Sequence, residues 1–413
     1  MNVVLIAIES LRADHLGAYG YARGTSDGLD AMAREGIVFD AFRSQSTHTA
    51  EACASLITGR SPLDCKEAPL SSKAGVAFTL AEAFRDRGKV TCCVDGLFSL
   101  PSHPCLFHRG YQYAVDPAAI PGRPHHVIAE TVTQEAVRWL AVHRDSPFFL
   151  FLHYWDPHPP FNQPPAFKTL FDHSRDELAS RAVQAPSGQI WVPHAGALDR
   201  LTPEMLERID RYDGEIAYVD AEVSRLLGAM KDLGVYSDTC VALTSSHGMD
   251  LLEHHAPFSH IETYEETLRA PLILKPSAAH SDWPRGARVS QPATHRDLFA
   301  TLLSAAGGDA EGTRGSEGPR DLSSFLFGNG QVENRPVLAA GSYEETPDAW
   351  GFREIGVFTP KRKAIARKET LSSEPSWELY DLEADPMETK DLALDLPEAL
   401  EEMKKLSGLH EFH

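Results

Sequence analysis

Acidic and imidazole side chains follow directly after four apolar runs that read as strands, and such groups can hold or move protons. Histidine suits this work at neutral pH because its unperturbed pKa lies near ~6.5. In an open α/β sheet, ligands bind outside the carboxyl ends of the strands, so side chains placed there share one site. The polar residues after the predicted strands are Glu9, Ser10, Asp95, residues 153–158 and residues 245–247.

The elements that must position these groups alternate along the chain, as in a parallel sheet covered by helices on both faces. The clearest strands are predicted at residues 3–8, 89–94, 147–153 and 239–244. Helical patterns occur at residues 28–35, 50–58, 79–87, 130–143, 202–233 and 295–306. We therefore expect an α/β fold with a mostly parallel central sheet. Strand patterns after residue 335 and an amphipathic helix over residues 397–406 predict a smaller C-terminal α+β subdomain with an antiparallel sheet.

Composition excludes several classes of partner. The formal charge is −20 and the pI is near 5.4, and a nucleic-acid binder needs a basic surface that this chain lacks. No apolar run approaches the roughly 20 residues that span a membrane. The first nine residues read as a buried strand rather than a signal peptide, and six irregularly spaced cysteines suit free thiols. These features predict a cytoplasmic protein with no nucleic-acid or membrane partner.

The segment at residues 49–60, Thr-Ala-Glu-Ala-Cys-Ala-Ser-Leu-Ile-Thr-Gly-Arg, is similar to the nucleophile segment of the sulfatases in the alkaline phosphatase superfamily. Six further segments match that family in the same order, and six ordered matches are hard to obtain by chance. The resemblance implies an alkaline phosphatase-like sandwich, with a sulfatase-like catalytic domain at residues 1–330 and a C-terminal subdomain at residues 331–413. The other matching segments are residues 2–21, 148–161, 212–220, 244–248 and 264–272, with residues 378–386 near the C-terminus.

The resemblance also assigns roles to individual residues. Thr49 stands at the position of the Cys, Ser or Thr nucleophile, and a formylglycine is excluded because that modification needs Cys or Ser. His158 matches a substrate-facing histidine, and His260 stands where the family has a lysine. Glu9, Thr49 and His247 are the expected ligands of a single divalent cation.

Several residues depart from the family pattern. Glu9 and Ser10 replace two aspartates, Ser246 replaces an aspartate before His247, and Cys53 replaces a charged side chain near the anion. With so few carboxylates, Ca²⁺ or Mg²⁺ would bind weakly, while Zn²⁺ or Mn²⁺ would tolerate Glu and His better. The cofactor expectation is therefore one such divalent cation or none.

The residues alone leave other interpretations open. Thr49 could be the N-cap of the following helix, which Ser and Thr commonly provide. Glu9 could be a buried acid paired with Arg12 or Arg60, and without a metal the histidines, including His48, remain as bases.

The sequence predicts a sulfatase-like hydrolase or group transferase that acts on a sulfate, phosphate or phosphonate ester of a small soluble anionic metabolite. Thr49 is its expected nucleophile, with His158, His247 and His260 as catalytic partners. The alternative is a repurposed member of the fold without metal, either a binding protein or an enzyme with different chemistry in a specialised biosynthetic pathway. Specificity is expected from the Pro- and His-rich loop over residues 157–193.

Overall fold

The structure is a computed structural model that describes most of the 413-residue chain. The described ranges are residues 1–65, 69–70, 79–96, 105–115, 128–172, 183–184, 190–191, 202–308, 318–326, 336–346 and 349–408. Within the loop predicted over residues 157–193, residues 173–182, 185–189 and 192–193 lie outside these ranges.

Eight strands form the central sheet, in the order β11-β2-β10-β9-β1-β6-β4-β5. Strand β10 runs antiparallel to both neighbours, and the remaining pairings are parallel. The mostly parallel sheet predicted from the sequence is therefore confirmed. In chain order the first twelve strands are β1 Asn2–Ile8, β2 Ile37–Phe39, β3 Phe42–Arg43, β4 Val90–Asp95, β5 Tyr113–Val115, β6 Phe148–Tyr154, β7 Val183–Gln184, β8 Ile190–Trp191, β9 Thr239–Ser245, β10 Leu272–Lys275, β11 Ala287–Val289 and β12 Ala293–Thr294.

Helices cover both faces of this sheet. Alternate residues of β1 enter two separate apolar cores, with Val4 and Ile6 in one and Val3 and Leu5 in the other. A strand that is buried on both faces must be apolar throughout, which explains its continuous apolar run. The helices are α1 Asp27–Glu35, α2 Thr49–Thr58, α3 Leu80–Arg85, α4 Ala129–His143, α5 Pro165–Lys168, α6 Pro203–Asp232, α7 Glu265–Leu268, α8 His295–Ala305, α9 Ser323–Leu326 and α10 Pro397–Ser407.

A second, smaller sheet follows near the C-terminus, and it is antiparallel as expected. Its strand order is β13-β16-β17-β18, and α10 packs against it through Leu400 and Met403. The strands of this region are β13 Val337–Ala340, β14 Tyr343–Thr346, β15 Ala349–Phe352, β16 Glu354–Phe358, β17 Arg362–Arg367 and β18 Ser376–Asp381.

Strand β13 also contacts the segment that leads into α2. Thr47 N–H donates to Ala340 O, and Ala340 N–H donates to Gln45 O, both at 3.0 Å. The C-terminal sheet therefore holds the three residues that precede His48 and Thr49. No helix in the described ranges is long and apolar enough to cross a membrane.

Candidate active site

The site lies at the carboxyl end of the central sheet, where β1 ends in Glu9. The next residue, Ser10, adopts a left-handed backbone conformation with φ of 56°, which is uncommon for a non-glycine residue. Tyr212 of α6 fixes this turn, because its hydroxyl donates to Ser10 O at 2.8 Å and accepts from Arg12 N at 3.0 Å. The turn directs the chain away from the sheet immediately after Glu9.

Thr49 is the first residue of α2, and His48 is the N-cap. The N-cap interpretation of Thr49 is therefore wrong, since its hydroxyl bonds to groups outside the helix. Strand β1 lies next to β9, so Ile8 pairs with Ser245 and the turn that carries His247 begins beside Glu9.

Three side chains from separate elements meet here. Thr49 Oγ1 donates to Glu9 Oε1 at 2.6 Å and lies 3.2 Å from His247 Nε2. His247 Nε2 is 2.8 Å from the same Glu9 oxygen. His247 Nδ1 donates to Gly248 O at 2.7 Å, which orients the ring so that Nε2 faces the other two groups. The structure thus brings together the three residues that were expected to bind a metal.

Glu9 also contacts a histidine whose role the sequence did not indicate. His153, at the end of β6, places Nε2 3.0 Å from Glu9 Oε2 and Nδ1 3.1 Å from Asp95 Oδ1. Strand β6 lies between β1 and β4, so these groups form one row across three adjacent strands. The sequence places His153 and Asp95 at strand ends. Whether they are neighbours depends on the order of the strands, which the sequence alone does not predict.

Burial and ion pairing shift the pKa values of Glu9 and His153 in opposite directions. Burial alone would lower the pKa of His153, but hydrogen bonds to Asp95 and Glu9 and their charges outweigh it and raise the pKa to about 9. Burial would raise the pKa of Glu9, but His247 and His153 hold it well below its usual value. Glu9 is therefore ionised at neutral pH, and it pairs with histidines rather than with Arg12 or Arg60.

Two other predicted residues join the site through ring contacts. The His260 ring stacks on His247 with centroids 4.0 Å apart, and the His158 ring lies 5.5 Å from His260. His260 Nδ1 donates to Thr47 O at 2.7 Å. Tyr343 packs on His48 with centroids 4.5 Å apart and is partly exposed, so it borders the site.

The rings of His260 and His48 carry little positive charge. Burial, together with the neighbouring His247 and His158, lowers the pKa of His260 to about 3. Burial and His247 lower the pKa of His48 to about 4. The residue at the position of the family lysine is therefore a neutral hydrogen-bonding group at neutral pH.

The first turn of α2 offers a different kind of anion site. Its leading backbone N–H groups lack helical acceptors, and the helix dipole adds positive potential there. Glu51, an acid in this turn, accepts from Leu70 N at 2.9 Å, and Cys53 lies in a small apolar cluster. Cys53 therefore supplies no charge where the family has a charged side chain.

The donors at Glu9, Thr49 and His247 do not fit a divalent cation. Glu9 is their only carboxylate, and its second oxygen already faces His153. Ser10 Oγ and Ser246 Oγ, at two aspartate positions of the family, are uncharged and have no hydrogen-bond partner among the described residues. No group of three or more His, Cys, Asp or Glu in the described ranges is arranged to hold a metal. Ca²⁺, Mg²⁺ and Mn²⁺ need more oxygen ligands and more charge than this, and a Zn²⁺ site needs three His, Cys, Asp or Glu ligands, of which these donors supply two.

Several relatives of the chain are named as sulfatases. It is 27% identical to iduronate 2-sulfatase of Mus musculus over 72% of this chain and 63% of that protein. It is 24% identical to arylsulfatase A of Bos taurus over 99% of this chain and 87% of that protein. The chain thus spans less than two thirds of the iduronate 2-sulfatase that it matches.

Solved structures share the fold. Phosphonate monoester hydrolase of Agrobacterium radiobacter superposes with a TM-score of 0.75 at 20% identity, over 100% of this chain and 95% of that one. The enzyme of the same name from Silicibacter pomeroyi gives a TM-score of 0.70 at 18% identity, over 100% and 96% of the two chains. A family model described as Sulfatase matches residues 1–308, which is well over half of the sequence. The chain therefore belongs to the sulfatase family.

Proposed function

We propose that the protein is an ester hydrolase or group transferase that uses Thr49 to attack sulfur or phosphorus in a sulfate, phosphate or phosphonate ester. One observation carries the proposal: the Thr49 hydroxyl donates to the ionised Glu9 at 2.6 Å at the N-terminus of α2. A hydroxyl is a poor nucleophile until a neighbouring group withdraws its proton, and Glu9 is placed to do so.

The proposed first step balances within the site. Thr49 Oγ1 forms a bond to sulfur or phosphorus, and the ester bond to the leaving alcohol breaks, with the electron pair going to the leaving oxygen. The Thr49 proton passes to Glu9 Oε1, which already accepts its hydrogen bond at 2.6 Å, and His247 Nε2 lies 2.8 Å from the same oxygen. Water completes hydrolysis of the Thr49 ester, and an alcohol in its place completes a transfer.

Other groups bind the transferred anion. The N–H groups at the start of α2 suit its non-bridging oxygens because they need no counter-charge. We assign His158, as the imidazolium, to a hydrogen bond from Nε2 to these oxygens or to the leaving oxygen, because its Nδ1 donates to Pro159 O at 2.6 Å. His260 has a different role: its Nδ1 donates to Thr47 O, so its neutral Nε2 keeps a lone pair that can accept a proton from the attacking water.

We propose a small, soluble, anionic metabolite as substrate. The chain itself is strongly acidic, so an extended polyanion would be repelled. Relatives named as sulfatases support a sulfate ester as substrate, and structural neighbours named as phosphonate monoester hydrolases support a phosphonate ester.

The test is a panel of aryl sulfates, phosphate monoesters, phosphate diesters and phosphonate monoesters, assayed with wild type, Thr49→Ser and Thr49→Ala. We expect turnover of at least one class, partial activity in Thr49→Ser, and none in Thr49→Ala. Mass spectrometry of acid-quenched enzyme should show the transferred group on the peptide that contains Thr49.

Folding of the variants is checked by thermal unfolding, because Thr49→Ala also removes a hydrogen bond worth about 1 kcal/mol. Turnover that persists in a folded Thr49→Ala protein would reject the nucleophile. Substrate binding without turnover in the wild type would favour the alternative, a repurposed binding protein.

A further inference from the structure

His153 is held as a cation by geometry. Both ring nitrogens face carboxylate oxygens, Glu9 Oε2 at 3.0 Å and Asp95 Oδ1 at 3.1 Å, and ionised carboxylates only accept hydrogen bonds. Each nitrogen must therefore carry a hydrogen. The ring is fully buried, so no solvent competes for these contacts.

The position of this cation matters for the nucleophile. Glu9 uses Oε2 for His153 and Oε1 for Thr49, so His153 sets the plane of the carboxylate that receives the Thr49 proton. A positive charge on the far side of Glu9 also repels a dication from the near side. Ser10 and Ser246 add no negative charge to offset this repulsion.

We propose that His153, anchored by Asp95, replaces a metal ion in this site: it supplies the fixed positive charge that orients Glu9 toward Thr49, and the protein works without a divalent cation. His153 and Asp95 are positioning residues, because they act through Glu9. The role toward Thr49 rests on the proposed function, whereas the metal and protonation claims do not.

The first test measures metal binding without substrate. Wild type purified without chelator should contain no near-stoichiometric metal, and calorimetric titration with Mn²⁺, Zn²⁺, Ca²⁺ and Mg²⁺ should show no binding at the site. We expect the double variant Ser10→Asp/Ser246→Asp to bind these ions weakly while His153 is present. Adding His153→Gln to that double variant should strengthen binding by at least about tenfold, because it removes the repelling charge.

The second test measures protonation and positioning. In ¹⁵N-ring-labelled protein, His153 should show two protonated ring nitrogens, and His153→Gln should remove both signals. His295→Gln is the matched control: His295 is also fully buried near the strand ends, but it makes a hydrogen bond to Ser245 O and carries no charge. On a substrate found with the ester panel, we expect His153→Gln to lower kcat at least about tenfold with little change in KM, and His295→Gln to leave kcat near the wild-type value.

Specific results would overturn the inference. A near-stoichiometric ion in wild type that is lost in Glu9→Gln and His247→Ala would show that the site holds metal. Equal metal affinity with and without His153 in the Ser10→Asp/Ser246→Asp background would remove the claimed repulsion. If no ester is turned over, the proposed function fails while the metal and NMR results still decide whether His153 is the resident cation.

Discussion

At the scale of single residues, the site is a chain of hydrogen bonds in which each charged group depends on its neighbours. Glu9 stands between His153 on one oxygen and Thr49 and His247 on the other. Removing one partner of a buried ion pair destabilises the folded protein, because the remaining charge stays buried without a partner. The same contacts that arrange the nucleophile therefore also stabilise the fold.

This argument predicts the effect of Glu9→Gln on stability. The amide keeps the shape of the side chain but leaves the His153 charge with Asp95 alone, so the free energy of unfolding should fall by about 3–5 kcal/mol. Equilibrium unfolding in urea measures this change in the free energy of unfolding. The double variant Glu9→Gln/His153→Gln should recover part of the loss, and a single variant within about 0.5 kcal/mol of wild type would contradict the ion pair.

Residue identities were partly predictable. Thr49, His247 and Glu9 were indicated by the sequence, and the structure places them together, although their catalytic roles stay predictions. The role of His153 was recognised only in the structure, because it depends on β6 lying between β1 and β4. Its one sequence signal was a histidine at the end of an otherwise apolar strand.

At the scale of elements, the site depends on tight turns at strand ends. Gly248 follows His247, and a Cβ at this position would come within 2.0 Å of the carbonyl oxygen of Glu266. The backbone there must shift to accept any side chain. Because His247 is the preceding residue, such a shift moves its ring relative to Thr49.

We therefore expect Gly248→Ala to reduce kcat by about 100-fold, since displacements of the order of 1 Å cost that much. It should also lower the melting temperature. Gly228→Ala is the control: Gly228 lies within α6, and a Cβ there meets no atom within 4 Å. That change should stabilise the protein by up to about 1 kcal/mol and leave kcat unchanged. Equal activity of the two variants would mean that the turn does not hold His247.

Elements were the most predictable level. The helix predicted over residues 50–58 is α2 at Thr49–Thr58, and the strand predicted over residues 239–244 is β9 at Thr239–Ser245. Such elements are predictable because a continuous apolar run or an amphipathic repeat within the segment itself specifies a strand or a helix. The reversed direction of β10 was not predicted, because strand direction is set by contacts distant in sequence.

At the scale of the whole molecule, His254 joins the large sheet region to the C-terminal region. Its Nδ1 lies 2.7 Å from Glu266 Oε1, and its Nε2 lies 3.2 Å from Glu388 O. Burial would lower the pKa of His254, but Glu266 and Glu388 outweigh it and raise the pKa to about 9. The protonated ring is thus favoured in the folded state.

The sign of the pH effect follows from this shift. A folded-state pKa above the ordinary 6.5 gives a stabilising contribution that is complete below pH 6.5 and is lost as the pH rises through about 9. Thermal unfolding across this range should show a decline that His254→Gln reduces. His255→Gln, at the exposed neighbouring residue, should leave the decline unchanged, and an identical decline in both variants would exclude His254 as its source.

The hydrogen bonds that join Gln45 and Thr47 to Ala340 have a consequence for biosynthesis. Thr49 is synthesised well before β13, the strand that holds the residues preceding Thr49. Proteins begin to fold from the N-terminus as they emerge from the ribosome. The segment that contains Thr49 therefore lacks its hydrogen bonds to β13 until that strand has been synthesised. Incomplete chains released by stalled ribosomes before β13 would therefore lack the hydrogen bonds that hold the residues before Thr49. Only chains that include β13 would have an assembled active site.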